Sequence, residues 1–142
     1  MKMPIKPMHP NFQHPKKGTD GAAAFDLFMP EAGRTYAAEA VKVPLGFAAT
    51  VPAGHVAMLM PRSGVGAKLG VELNNTCGLI DPDYAGQWFA FLRTKNDEPF
   101  EWDAGARLLQ VLIVPVVTPA LTLVEDLDAT ARGDGGFGST GQ

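Results

Sequence analysis

The chain holds a single cysteine, Cys77, which excludes an intramolecular disulfide framework and a metal site built on several thiolates. It holds three histidines, His9, His14 and His55, and none are at the spacing of a helical zinc pair. No apolar stretch approaches the roughly 20 residues of a membrane span. The longest lies within 108–117 and is broken by Gln110 and Pro115. The N-terminus lacks the apolar core of a secretory signal, so a cytoplasmic location is expected. A formal net charge of -3 argues against a nucleic-acid polyanion as the main partner. A small phosphorylated ligand stays open, because a few local basic groups suffice to hold it.

What the chain has is punctuation. Sixteen glycines and 12 prolines are spread along 142 residues and cut the sequence into short pieces. No segment carries a long 3.6-residue apolar period. Short strands are expected at 24–28, 41–50, 55–60, 70–73, 87–94 and 107–117, with a helical turn near 65–68. Many short strands between turn signals indicate an all-β sandwich or barrel. The segment 95–99 reads as a hairpin turn. Two strands, at 88–92 and 111–114, do not alternate apolar with polar, so both of their faces are expected to be covered, by an internal layer or by another subunit. Trp88, Phe89 and Phe91 are read as core, His55 as a solvated turn residue and Cys77 as a small interior residue. The expected division is an extended leader at 1–20, a β-barrel core at 21–117 and an arm at 118–142.

Five segments are odd for a purely structural role. The tail, 132–142, joins Arg132 to five glycines, Phe137, Ser139 and Thr140. Successive backbone N–H groups in such a segment can cradle an anion, the arginine fork suits phosphate, and the ring suits a base. Asp26 stands in an apolar strand, where a carboxylate needs a partner. Its two readings are a strand-end cap and a group that holds an arginine in place. Pro61-Arg62-Ser63-Gly64 sets an arginine and a hydroxyl beside a glycine after a strand, a compact phosphate grip. The run 74–88 brings together Asn75, Asp81, Asp83 and Tyr84. Asp81 is fixed in direction by Pro82, which suits a general base, although a turn aspartate before proline looks the same. Gln110 is a polar residue in a buried strand, either a satisfied core amide or a phosphate contact.

In order and spacing these five segments resemble the five motifs of the trimeric dUTPase family, the deoxyuridine triphosphate nucleotidohydrolases. The resemblance runs from about Gly21 to the C-terminus. It implies a jelly-roll-like β subunit in a three-fold homotrimer, with a C-terminal arm exchanged to a neighbour and active sites shared between subunits. It implies hydrolysis of dUTP to dUMP and pyrophosphate, which keeps uracil out of DNA and supplies dUMP for dTMP synthesis. Asp81 would activate the water that attacks the α-phosphorus. Tyr84 would pack on the deoxyribose. Asn75, Gly78, Leu79 and Ile80 would form the uracil-binding hairpin. Arg62, Ser63, Gly64 and Gln110 would bind phosphates, with Asp26 holding Arg62. Arg132, Gly138, Ser139 and Thr140 would close on the γ-phosphate while Phe137 covers the uracil. Mg²⁺ would be bound through the triphosphate and water, with no direct protein ligand.

The sequence departs from the family pattern at Ala24, Ala106 and Leu109, none of which bears a reacting group. A dCTP deaminase of the same superfamily needs an acid on the strand at 87–92, and none is there. A regulatory binding module, whose nucleotide-closed state is read by a protein partner, is the rival from another class. The intact catalytic set argues against it as the sole role.

Overall fold

The computed structural model describes residues 1–136, and Phe137, Gly138, Ser139 and Thr140 lie outside the described residues. Eleven strands and one short helix follow one another as β1 (Ile5–Pro7), β2 (Lys16–Lys17), β3 (Phe25–Leu27), β4 (Gly33–Thr35), β5 (Val41–Ala49), β6 (His55–Pro61), α1 (Ser63–Leu69), β7 (Val71–Leu73), β8 (Gly78–Ile80), β9 (Gln87–Thr94), β10 (Phe100–Trp102) and β11 (Leu109–Pro115). One sheet has the order β1-β5-β9-β7, the other β2-β3-β11-β6-β8, and β10-β4 forms a separate ribbon. Every pairing is antiparallel. The expected all-β, jelly-roll-like sandwich is what the chain forms.

The two sheets share one core. Val43, Leu45, Phe47, Val71, Trp88, Ala90 and Leu92 come from the first, and Leu27, Ala57, Leu59, Leu109 and Val111 from the second. Burying each of the larger of these side chains contributes about 1.5–3 kcal/mol, which is what holds the layers together against chain entropy. Thr35 lies in this interior with its hydroxyl donating to Leu92 O at 2.6 Å, so its burial leaves no open donor.

β5 is bent where it matters. Its register against β9 shifts between Pro44 and Ala48. Gly46 sits in the shift at φ +78, and a Cβ there would press on His9 and Pro30. A bulge of this kind raises the local twist and turns one half of a strand away from the other. Beyond it β5 lies between the two strands, with Ala48 opposite both Lys6 of β1 and Gln87 of β9.

Residues 1–20 are tied into the sandwich at two points. β1 pairs with β5, and β2 pairs with β3. These short strands, with β4, β8 and β10, were not expected from the sequence, whereas β3 and β7, just as short, fall within the expected segments 24–28 and 70–73. The turn at 95–99 is present, but it is no hairpin: β9 belongs to the first sheet and β10 to the ribbon with β4. His55 is the first residue of β6 rather than a free turn residue.

The doubly apolar strand β9 does alternate in burial. Trp88, Ala90, Leu92 and Thr94 point inward, while Phe91 is 45% exposed and Phe89 is half-buried. The reading of Phe89 and Phe91 as core is therefore wrong within one chain. Apolar composition cannot separate an inner face from an outer apolar one. On that outer face Glu72 receives Arg93 at 2.6 Å and Lys95 at 2.9 Å. The hydrogen bond from Lys95, followed by the one from Arg93, holds the Glu72 carboxyl below its ordinary range despite opposing desolvation. A depressed folded pKa stabilises the fold above the unfolded value and stops doing so as pH falls through the folded one. Chemical-denaturation midpoints of the wild type and Glu72→Gln should differ at pH 7 and converge as pH falls below the ordinary glutamate range and through the lowered folded value.

Candidate active site

The candidate side chains fall into two groups. The first is built where β3, β6 and β11 meet. β11 runs between β3 and β6, and its register sets Gln110 opposite both Asp26 and Met60. Asp26 is buried, with 9% of its side chain exposed, and it is doubly paired. Arg62 Nε approaches Oδ1 at 2.9 Å and Arg107 Nη1 approaches Oδ2 at 3.2 Å. A buried carboxylate is costly alone, and two guanidinium groups meet that cost. Arg62 also donates to Arg107 O at 3.3 Å, and Gln110 Nε2 donates to Pro61 O at 3.2 Å. The result is a braced clamp: a fixed anion beneath two partly exposed arginines.

Ser63 and Gly64 begin α1 directly after Arg62, and both are exposed. A Cβ on Gly64 would meet nothing within 4 Å, so the backbone there is open to an incoming group. Arg107 is the residue that sequence reasoning missed. It stood in a segment considered for Gln110, and only the register across β3 reveals that Asp26 must serve two cations.

The second group gathers between β8 with the turn that follows it and the neighbouring strands β9 and β5. Leu79, Ile80, Asp81 and Tyr84 line a concavity of about 360 Å³ with Lys42, Trp88, Phe89 and Phe91. Asp81 is exposed at the end of β8, and its carbonyl accepts the Tyr84 N–H at 3.2 Å. Tyr84 donates its hydroxyl to Gln87 O at 2.7 Å, which pins the ring across the turn. Gly86 makes that possible, since a Cβ there would stand 2.7 Å from the Tyr84 hydroxyl.

The residues at 71–80 do not pair as a hairpin. β7 joins β9 in one sheet and β8 joins β6 in the other. The connection at 74–77 is thus a corner between sheets, exposed at Asn75 and tight at its tip. Thr76 takes φ 66, a region unfavourable for a β-branched residue. Cys77 N–H closes a three-residue turn on Asn75 O at 2.7 Å, and Asn75 Nδ2 reaches back to Cys77 O at 3.3 Å. Gly78 leaves β8 close to Leu59, whose Cβ lies 3.1 Å from where a Cβ would be.

No side chain of the arginine clamp lines the concavity that holds Asp81. Arg132 bonds within its own segment, donating to Gly135 O at 2.8 Å. Among the described residues no group of three histidine, cysteine or acidic side chains is gathered to hold a metal.

The chain thus carries two separate features, a pair of arginines braced on Asp26 and an aromatic-walled hollow with one carboxylate at its rim. The comparisons name one family. The dUTPase family model matches residues 10–141. A deoxyuridine 5'-triphosphate nucleotidohydrolase of Anaeromyxobacter sp. (strain Fw109-5) is 42% identical over 133 residues, covering 94% of this chain and 90% of that one. One from Chromobacterium violaceum is 43% identical, covering 90% and 87%. Among solved structures, the dUTPase of Staphylococcus bacteriophage 80alpha with dUPNHPP superposes with a TM-score of 0.88 at 25% identity, covering 99% of both chains. A dUTPase from phage phi11 of S. aureus, studied for the coordination of a structural Mg(II) ion, has a TM-score of 0.81 at 22% identity, covering 91% and 100%, and shares the fold. The chain belongs to the dUTPase family.

Proposed function

We propose that this protein hydrolyses dUTP to dUMP and pyrophosphate, keeping uracil out of DNA and supplying dUMP for dTMP synthesis. The observation that carries the reading is Asp81 at the rim of a nucleoside-sized hollow, beside a Tyr84 ring held in place by its own hydroxyl. Asp81 takes a proton from water as the water oxygen bonds to the α-phosphorus. The bond from that phosphorus to the bridging oxygen breaks, and pyrophosphate leaves with the bridging oxygen. Tyr84 packs on the sugar and leaves no room for a 2′-hydroxyl. Asn75 and the backbone at 75–80 face the uracil.

The clamp has a matching task. Asp26 fixes Arg62, and Arg62, Ser63, Gly64 and Gln110 receive the phosphates. Preorganised donors of this kind stabilise charge as it develops, without reorganising during the reaction. Mg²⁺ would arrive with the nucleotide, held through the triphosphate and water. When bound, the ion offsets charge on the phosphate oxygens.

Separation of clamp and hollow within one chain supports a site assembled between subunits of a homotrimer. So does the arm. Leu121 is 94% exposed and Leu123 fully so, with Val117 at 91%. Apolar side chains bared in a row mark a contact surface. We place 21–117 as the barrel and 118–142 as an arm laid on a neighbour, bringing Arg132, Phe137, Gly138, Ser139 and Thr140 over that neighbour's nucleotide. Sedimentation at the monomer mass would contradict this arrangement.

Position of attack is directly testable. Hydrolysis in water enriched in oxygen-18 should place the label in dUMP and none in pyrophosphate. Label in pyrophosphate would move the attack to another phosphorus and remove the role given to Asp81.

A further inference from the structure

The hollow beside Asp81 has a wall that the five motifs leave unassigned. Lys42 lies on β5 directly opposite Phe91 on β9. Cross-strand partners share a face, and so do Phe89 and Phe91, two residues apart. Lys42 Nζ sits 4.2 Å above the Phe89 ring centroid, within the range of a cation–π contact. That contact holds a flexible ammonium at one place on the wall of the hollow that also contains Asp81 and Tyr84. The neighbouring cations of this sheet face are engaged elsewhere, since Glu72 holds both Arg93 and Lys95. Lys42 has no carboxylate partner among the described residues.

We propose that Lys42 is a specificity-determining residue that donates a hydrogen bond to O4 of the uracil ring. The proposal rests on the dUTP reading given above. An ammonium offers three donors and no acceptor. Uracil presents a carbonyl oxygen at position 4, whereas cytosine presents an amino group, so cytosine would set donor against donor. Both bases carry the same carbonyl at position 2, so a contact there from Lys42 would not separate them. A site that donates to a substrate oxygen discriminates against an analogue that cannot accept. Of the other polar side chains on the wall, Asp81 is given to the attacking water and the Tyr84 hydroxyl already donates to Gln87 O, so among the described residues Lys42 is the one cation the hollow offers to the base.

The test compares wild type, Lys42→Met and Lys42→Arg on dUTP and dCTP. Loss of a charged hydrogen bond should lower kcat/KM for dUTP about 10- to 100-fold in Lys42→Met, carried mainly by KM. The ratio of dUTP to dCTP should fall by about the same factor, because dCTP never had the contact. Lys42→Arg keeps a donor and should restore most of the ratio. Equal losses on dUTP and dCTP would assign Lys42 to the phosphates and overturn the proposal, as would an unchanged ratio. Calorimetric titration of the same three proteins with dUMP and dCMP reads the preference without turnover. A wild type that binds dUMP over dCMP through Lys42 but releases no pyrophosphate would sink the catalytic reading and leave this one standing.

Discussion

Asp81→Asn should bind dUTP and scarcely turn it over. A positioned general base is worth about 10²–10⁴ in rate, and the amide cannot take the proton from water. The substitution is nearly isosteric, and Asp81 is exposed at a strand end, so the fold should be unaffected. The carbonyl that accepts the Tyr84 N–H belongs to the backbone and is retained. The expected pattern is a collapse in kcat at nearly constant dissociation constant for dUPNHPP, measured by calorimetry beside single-turnover kinetics. Activity within a factor of about three of wild type would show that another group, or solvent, takes the proton.

Asp26→Ala should produce the largest combined loss of stability and activity. Its carboxylate is buried and receives both Arg62 and Arg107. Removing it leaves two cations facing each other above an apolar strand. Breaking a buried ion pair by deleting one partner costs about 3–5 kcal/mol, and the half-open arginines reduce that to about 2–3 kcal/mol here. Arg62 loses its brace at the same time. Asp26→Asn separates the effects, because an amide keeps the shape and some hydrogen bonding but cannot balance the charge. Denaturation midpoints should rank wild type above Asp26→Asn above Asp26→Ala, while KM for dUTP rises in the same order. A stable Asp26→Ala protein with wild-type KM would show that the clamp neither supports the fold nor positions Arg62.

The parts of the fold that were legible in the sequence are those with length. β5, β6, β9 and β11 each span seven residues or more, and their apolar runs could be seen. Of the short strands, β3 and β7 fell within expected segments, while β1, β2, β4, β8 and β10 were invisible because their partners, not their composition, make them strands. β8 is the instructive case: Gly78-Leu79-Ile80 reads as half of a hairpin, yet it pairs with β6 across the sandwich. Strand pairing is a long-range choice, and nothing local to 71–80 announces it.

The site was legible to a different degree. Asp26, Arg62, Asp81, Tyr84 and the glycine-rich tail stand out because each is strange where it is. A carboxylate in an apolar strand, or an aspartate locked before proline, calls for a partner. Arg107 and Lys42 are ordinary by comparison. Charged residues at strand ends and on outer faces are common, and only register brings Arg107 to Asp26 and Lys42 to the hollow. The outward turn of Phe89 and Phe91 was hidden for the opposite reason, since an apolar outer face and an inner one have the same composition.

Pyrophosphate release by the wild-type protein with Mg²⁺, from dUTP, dCTP, dTTP and UTP in parallel, tests the central claim most directly. The account predicts turnover of dUTP, with the other three slower by orders of magnitude. Turnover of UTP at a similar rate would contradict the place given to Tyr84, and a folded protein inert towards dUTP would contradict the proposed activity itself.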